Sequence, residues 1–194
     1  MGKSTPIIFD RNVIEFVTVA SEFCSFLEHA ESMKRNTFVD TILKILPLLY
    51  IKASLLPKNE WKTDGNLENY VTEDIYEILR INLSAIMGEK DDYLEVFLPD
   101  MAYSDTPIRR CISEDLADIY QDIKDFVFVF RLGLNETMND ALVCCKENFE
   151  LLWGQKLVNT MRALHDVKYN PDTGLYENEA FDDEEDAIHD DEGK

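Results

Sequence analysis

The stretch Glu136–His165, ETMNDALVCCKENFELLWGQKLVNTMRALH, constrains the fold more than any other part of the chain. Met138, Ala141, Leu142, Cys145, Phe149, Leu152, Trp153, Leu157, Met161 and Leu164 recur at mostly three- and four-residue steps, which stacks them along one side of an α-helix. Such a helix needs other helices to cover its apolar face. Trp153-Gly154-Gln155-Lys156 is unusual inside it, because glycine in a helix interior costs about 1 kcal/mol relative to alanine. Two readings compete. In one, Gly154 lets another helix approach closely and Trp153 fills the interior. In the other, Trp153 lines a groove to which Gln155, Arg162 and His165 supply polar contacts.

The rest of the chain supplies the covering helices. Asp10 is a natural N-cap for a helix over about 11–32, with Val13, Phe16, Val17, Ala20, Phe23, Cys24 and Leu27 as its core face. A second, from Asn36 or Thr37 to about Leu56, is apolar nearly all round, which predicts a central place in the bundle and a kink near Pro47. The loop that follows is polar apart from Trp61, Leu67 and Tyr70, which are expected to fold back onto the bundle. Thr72 caps a third helix that Gly88 closes, with Ile75, Leu79, Leu83 and Ile86 inward. Residues 91–98 suit a short helix, and a long loop around Pro107 follows. Ser113 is placed to cap a fourth helix, and the run Phe126–Phe130 is read as its continuation because the flanking period is helical. The turn sequence Asn170-Pro171-Asp172-Thr173-Gly174 predicts a short hairpin over 167–176.

The prediction is therefore all-α: an antiparallel bundle of five to six helices over residues 1–170, with an acidic, disordered tail over 171–194. That tail holds 11 acids and one lysine, and the preceding 170 residues hold 28 acids and 18 bases. Both parts are acidic, which argues against nucleic acid or an anionic membrane as partner, since each is a polyanion that calls for a basic patch. No apolar run spans a bilayer and no signal peptide is apparent, so the expected setting is soluble and cytoplasmic. Reduced thiols follow from that setting; Cys24, Cys111, Cys144 and Cys145 show no CxxC spacing and read as small buried hydrophobes.

Motifs for chemistry are sparse. A di-iron or di-manganese bundle needs Glu-x-x-His, which does not occur, and His29 and His165 fall near helix ends, where an imidazole interacts well with the last carbonyls. There is no GxSxG, phosphate loop or HExxH. Glu73/Asp74, Asp91/Asp92 and Glu114/Asp115 are placed at helix starts, where capping and the helix dipole account for them. No metal, cofactor or catalytic residue is predicted.

The words VASEFCSFLE (19–28), ILPLLYIKASLLP (45–57) and NFELLWGQKLVNTMRALH (148–165) resemble a bacterial family of acidic, all-helical cytosolic proteins known only as a domain of unknown function. The similarity runs over most of Asp10 to Tyr169. It implies the helical fold and carries over no activity, cofactor or catalytic residue. The expected function is a non-enzymatic protein-interaction or adaptor module with a protein partner, a basic one if the acidic surface engages it. The alternatives are a small-molecule-binding protein or enzyme with a groove at Trp153, and an acidic mimic of nucleic acid.

Overall fold

The computed structural model describes residues 6–64, 66–95 and 108–170. After a 3-10 turn at Ile7–Phe9 the helices are α1 (Arg11–Glu28), α2 (Arg35–Ser54), α3 (Glu73–Met87), α4 (Ile112–Arg131), α5 (Asn135–Asn148) and α6 (Gly154–Tyr169). A π-helical turn, Phe149–Trp153, joins α5 to α6 without a break. The last two helices are therefore one interrupted rod, and the molecule is an all-α antiparallel bundle of five rods.

Local chemistry sets most boundaries. Asp10 caps α1, its carboxylate accepting from the Asn12 amide at 2.8 Å. The helix stops at Glu28, short of the expected Ser32, where the His29 ring donates from Nδ1 to the Ser25 carbonyl at 2.7 Å and takes up a terminal acceptor. Thr72 caps α3 through the Ile75 amide at 3.3 Å, and Gly88 ends it at φ +55°. Helix α2 runs on through Pro47.

Helix α4, not α2, is the central one. It packs against α1, α3, α5 and α6 and buries Leu116, Ile119, Ile123, Phe126, Val127 and Val129 on several sides, with the Phe126–Phe130 run helical as predicted. Helix α2 lies at the edge, packed chiefly on α1 and α6. Phe38, Val39, Ile42, Leu46, Leu49 and Ala53 face the core, but Leu48, Ile51 and Leu55 on its outer side stay about half exposed, at 50%, 51% and 49%. Apolarity all round does not bury a helix when, as among the described residues here, no neighbouring element covers the outer side.

Two further expectations change. Residues 92–95 form a strand, β1 (Asp92–Glu95), paired antiparallel with β2 (Ile108–Cys111), so that Tyr93 opposes Arg110 and Glu95 opposes Ile108. The expected helix over 91–98 gives way because the partner strand supplies the backbone hydrogen bonds that an isolated turn would have to make internally. Ser113 does not cap α4. Asp91, from the segment before β1, accepts from the Ser113 amide at 2.8 Å and the Ser113 hydroxyl at 2.6 Å, a buried carboxylate at the positive end of the helix. Asp91→Ala leaves that amide and hydroxyl unmatched, and thermal unfolding should show a loss of about 2 kcal/mol. An unchanged midpoint would mean that water replaces the carboxylate at no cost.

The predicted hairpin does not form as drawn, since Val167–Tyr169 is the last turn of α6; Leu175 and Tyr176 lie outside the described residues, as do the loop around Pro107 and the 171–194 tail.

Candidate functional site: an acidic seam along the fourth helix

Asp115, Asp118, Asp122 and Asp125 follow one another on α4 at steps of three, four and three, which aligns them on a single side of the helix. Each meets a different element. The Tyr93 hydroxyl from β1 donates to Asp115. Asp118 accepts from the Tyr76 hydroxyl of α3 at 2.7 Å and pairs with Lys156 of α6. Asn148 of α5 donates to Asp122 at 2.6 Å, and the Tyr70 and Val71 amides, just before α3, donate to Asp125 at 2.7 and 2.8 Å. The row is a polar seam at which α3, the strand pair, α5 and α6 converge on the central helix.

Burial raises the carboxyls of Asp115, Asp122 and Asp125 above the usual range, against donors that act to lower them. The two tyrosines are also pushed up, first by burial and then by the carboxylate each one touches. The sign for stability follows. A carboxyl raised in the folded state contributes stability below its unfolded range and loses it as pH rises through the raised value. Near neutral pH the half-buried charge is a liability, so Asp122→Asn should keep the fold and raise its stability slightly, by up to about 1 kcal/mol, seen as a higher unfolding midpoint. A clear drop in midpoint would show that the charge is needed for folding.

Asp122 and Asp125 also line a cavity of about 250 Å³ between α4, α5 and residues 67–69, with Leu67, Phe126, Val129 and Ala141 as its apolar part. The spacing LADIYQDIKD was the signal for this seam; reading Asp115 as a first-turn residue hid its alignment with the other three. Asp115 is buried, and the other three are half-buried, each engaged by a neighbouring element.

Of the residues around the glycine, only Arg162 and His165 share a hollow. Trp153 is fully buried; its indole N–H donates to the Cys145 carbonyl at 3.1 Å and its ring lies 4.7 Å from Phe149. It fills the core and lines none of the described cavities. Gln155 is exposed and donates to Asn159 at 3.1 Å. Arg162 and His165 lie on an open hollow between α6 and α2, with Leu43, Val158, Met161 and Tyr169. The π turn explains both the glycine and the phase error. One extra residue rotates Leu152 out to 55% exposure, although the simple 3-4 pattern placed it inward. The Gly154 amide closes the turn on the Phe149 carbonyl five residues back, and a Cβ on Gly154 would stand 2.4 Å from that oxygen and 2.9 Å from the Phe149 ring. The close approach is made by its own helix and not by a neighbouring one.

None of the four thiols is activated. All are free, and burial is the leading cause that raises each, Cys24 to about 12 and Cys111 to about 11. Among the described residues no three His, Cys, Asp or Glu side chains gather closely enough to hold a metal ion, and no helix is long and apolar enough to cross a membrane.

No curated protein matches the sequence. The crystal structure of protein BF1032 from Bacteroides fragilis, a structural genomics target, is 71% identical and superposes with a TM-score of 0.79, covering 87% of this chain and 99% of that one. A family described as "Domain of unknown function (DUF5063)" matches residues 7–170, which is the whole bundle from the first 3-10 turn to the end of α6. By the extent of that match, and as the helical words in its sequence suggested, the chain belongs to this family of unknown function.

Proposed function

We propose that the protein is a non-enzymatic interaction module that receives a basic, amphipathic helix of a partner protein on the outer side of α2 and the adjoining start of α6. The uncovered apolar row on α2 carries this reading. Leu48, Ile51 and Leu55 fall at helical steps, and Leu151 and Val158 are 77% and 46% exposed on the rod beside it. Scattered exposed aliphatics need no explanation, whereas a row at helical steps along one helix face is the kind of surface that an amphipathic helix covers, with anchors at i, i+3 or i+4 and i+7.

Charge points to the kind of partner. The bundle is acidic in its own right, and the chain leaving α6 at Asn170, beside Tyr169 and the hollow under His165, carries a further net charge of -10 over residues 171–194. Such a field speeds the approach of a cationic partner and disfavours anionic ones. The protonated thiols and the structural hydrogen bonds of the buried carboxylates supply no activated nucleophile, which favours binding over catalysis.

Affinity capture from native cells tests this with three forms: the full chain, the chain ending at Tyr169, and Ile51→Glu with Val158→Glu. The full chain should retain a protein partner. The double substitution should lower its recovery at least tenfold, because two charges would enter an apolar contact. Truncation should weaken recovery in a salt-dependent way. A partner held equally by all three forms, self-association as the only contact at this face, or turnover of a small molecule with no protein retained, would overturn the proposal.

A further inference from the structure

We propose that the cavity between α4, α5 and residues 67–69 is a binding site for a small organic amine with an apolar arm. Its geometry has two halves. Leu67, Phe126, Val129 and Ala141 form an apolar part, and Asp122, Asp125 and Glu68 stand on its polar wall, with no lysine or arginine in the lining. An apolar cavity of about 150 Å³ is enough to admit benzene. The 250 Å³ here holds a ring with a short aminoalkyl chain.

The carboxylates are only half used. Asp122 accepts from Asn148 through Oδ1, and Asp125 takes both the Tyr70 and Val71 amides on Oδ1. The second oxygen of each has no hydrogen-bond partner among the described residues, and neither is sealed from solvent. Such an arrangement fits an ammonium group, which donates up to three hydrogen bonds and needs no fixed coordination shell. A divalent cation fits less well, because no third ligand side chain gathers with these two among the described residues. The buried position of the acids keeps their charge costly until a cation arrives. This site lies on α4 and α5, away from the outer row of α2, and stands or falls independently of the docking surface.

Titration of the full-length protein with phenethylamine, against the neutral isostere 2-phenylethanol, followed by NMR, tests the assignment. The amine should shift the Ala141 and Val129 signals and bind at least about tenfold more tightly than the alcohol. Asp122→Asn should bring the two affinities together. Ala141→Phe, which fills the cavity, should abolish binding of both; Asp122→Asn decides the matter if that variant fails to fold. Equal affinity for amine and alcohol in the unsubstituted protein, shifts confined to other parts of the surface, or no binding would overturn the proposal.

Discussion

Gly154→Ala should unfold the protein far more readily, although alanine is the better helix former by about 1 kcal/mol. The added Cβ would lie 2.4 Å from the Phe149 carbonyl oxygen that closes the π turn, and 2.9 Å from two carbons of the Phe149 ring. Backbone cannot yield here as a flexible side chain could. The Phe149 ring is also wedged between Tyr50, at 5.2 Å, and Trp153, at 4.7 Å. Relief therefore means either undoing the π turn, which would rotate buried Trp153 out of phase with α5, or expelling Phe149. We expect a loss of about 3 kcal/mol or more by chemical denaturation, against the usual sign for a glycine-to-alanine change in a helix. Gly154→Ala with unchanged or improved stability would mean that the rod accommodates a regular α-helical turn.

Asp140→Ala should have a comparable effect through a different cause. Asp140 is fully buried on α5 and accepts from the Lys62 amide at 2.6 Å, the Thr63 amide at 2.8 Å, the Thr63 hydroxyl at 2.6 Å and the neighbouring Asn139 side chain at 3.0 Å. Burial acts to raise its carboxyl, and the Thr63, Asn139 and Lys62 donors outweigh it and hold it below the usual range. The connection between α2 and α3 is fastened to the bundle at this point, helped by Asn139, which donates to the Glu60 carbonyl at 2.8 Å. Losing the carboxylate strands several donors at once, and about 3 kcal/mol is expected at neutral pH.

The pH dependence has a fixed sign. A carboxyl depressed in the folded state contributes its stability above the unfolded carboxylate range and loses it as pH falls through the folded value. The gap between the parent protein and Asp140→Ala should accordingly be full at about pH 7 and shrink below about pH 4. Paired unfolding curves at the two pH values check this; a gap independent of pH would mean that shape, not charge, fastens the connection.

These two residues also mark what could be read from the sequence. Helical spacing located the rods, because the stripe from Val13 to Leu27 and the caps at Asp10 and Thr72 are local chemistry that short-range periodicity records. Gly154 was visible as an anomaly, but a π turn is set by one extra residue, and the spacing of apolar side chains does not reveal where that residue is inserted. Leu152 went to the wrong side for that reason. Asp91 on Ser113 and Asp140 on Thr63 are partners 22 and 77 residues apart. Residue type alone could not pair them, so Ser113 was read as a cap when it is the capped residue.

The site divided in the same way. Arg162 and His165 do share a surface hollow, as helical spacing placed them on one side, while Trp153 turned out to be core. The aspartate row on α4 was legible in its three-four-three spacing, yet its meaning depends on Tyr76, Tyr93, Asn148 and Lys156, which arrive from four other elements. Helix α2 is the opposite case. Its sequence showed an apolar surface on nearly every side, and only the packing revealed that no described element covers one of them.

That uncovered side is the centre of the functional account, and site-specific photocrosslinking tests it most directly. A benzophenone side chain placed at Ile51, on the outer row of α2, is compared in native cells with one at Ile78, which is still more open to solvent but on α3. A discrete adduct with a basic partner protein is expected from position 51 and none from position 78. Adducts of the same kind from both positions, or from neither, would contradict it.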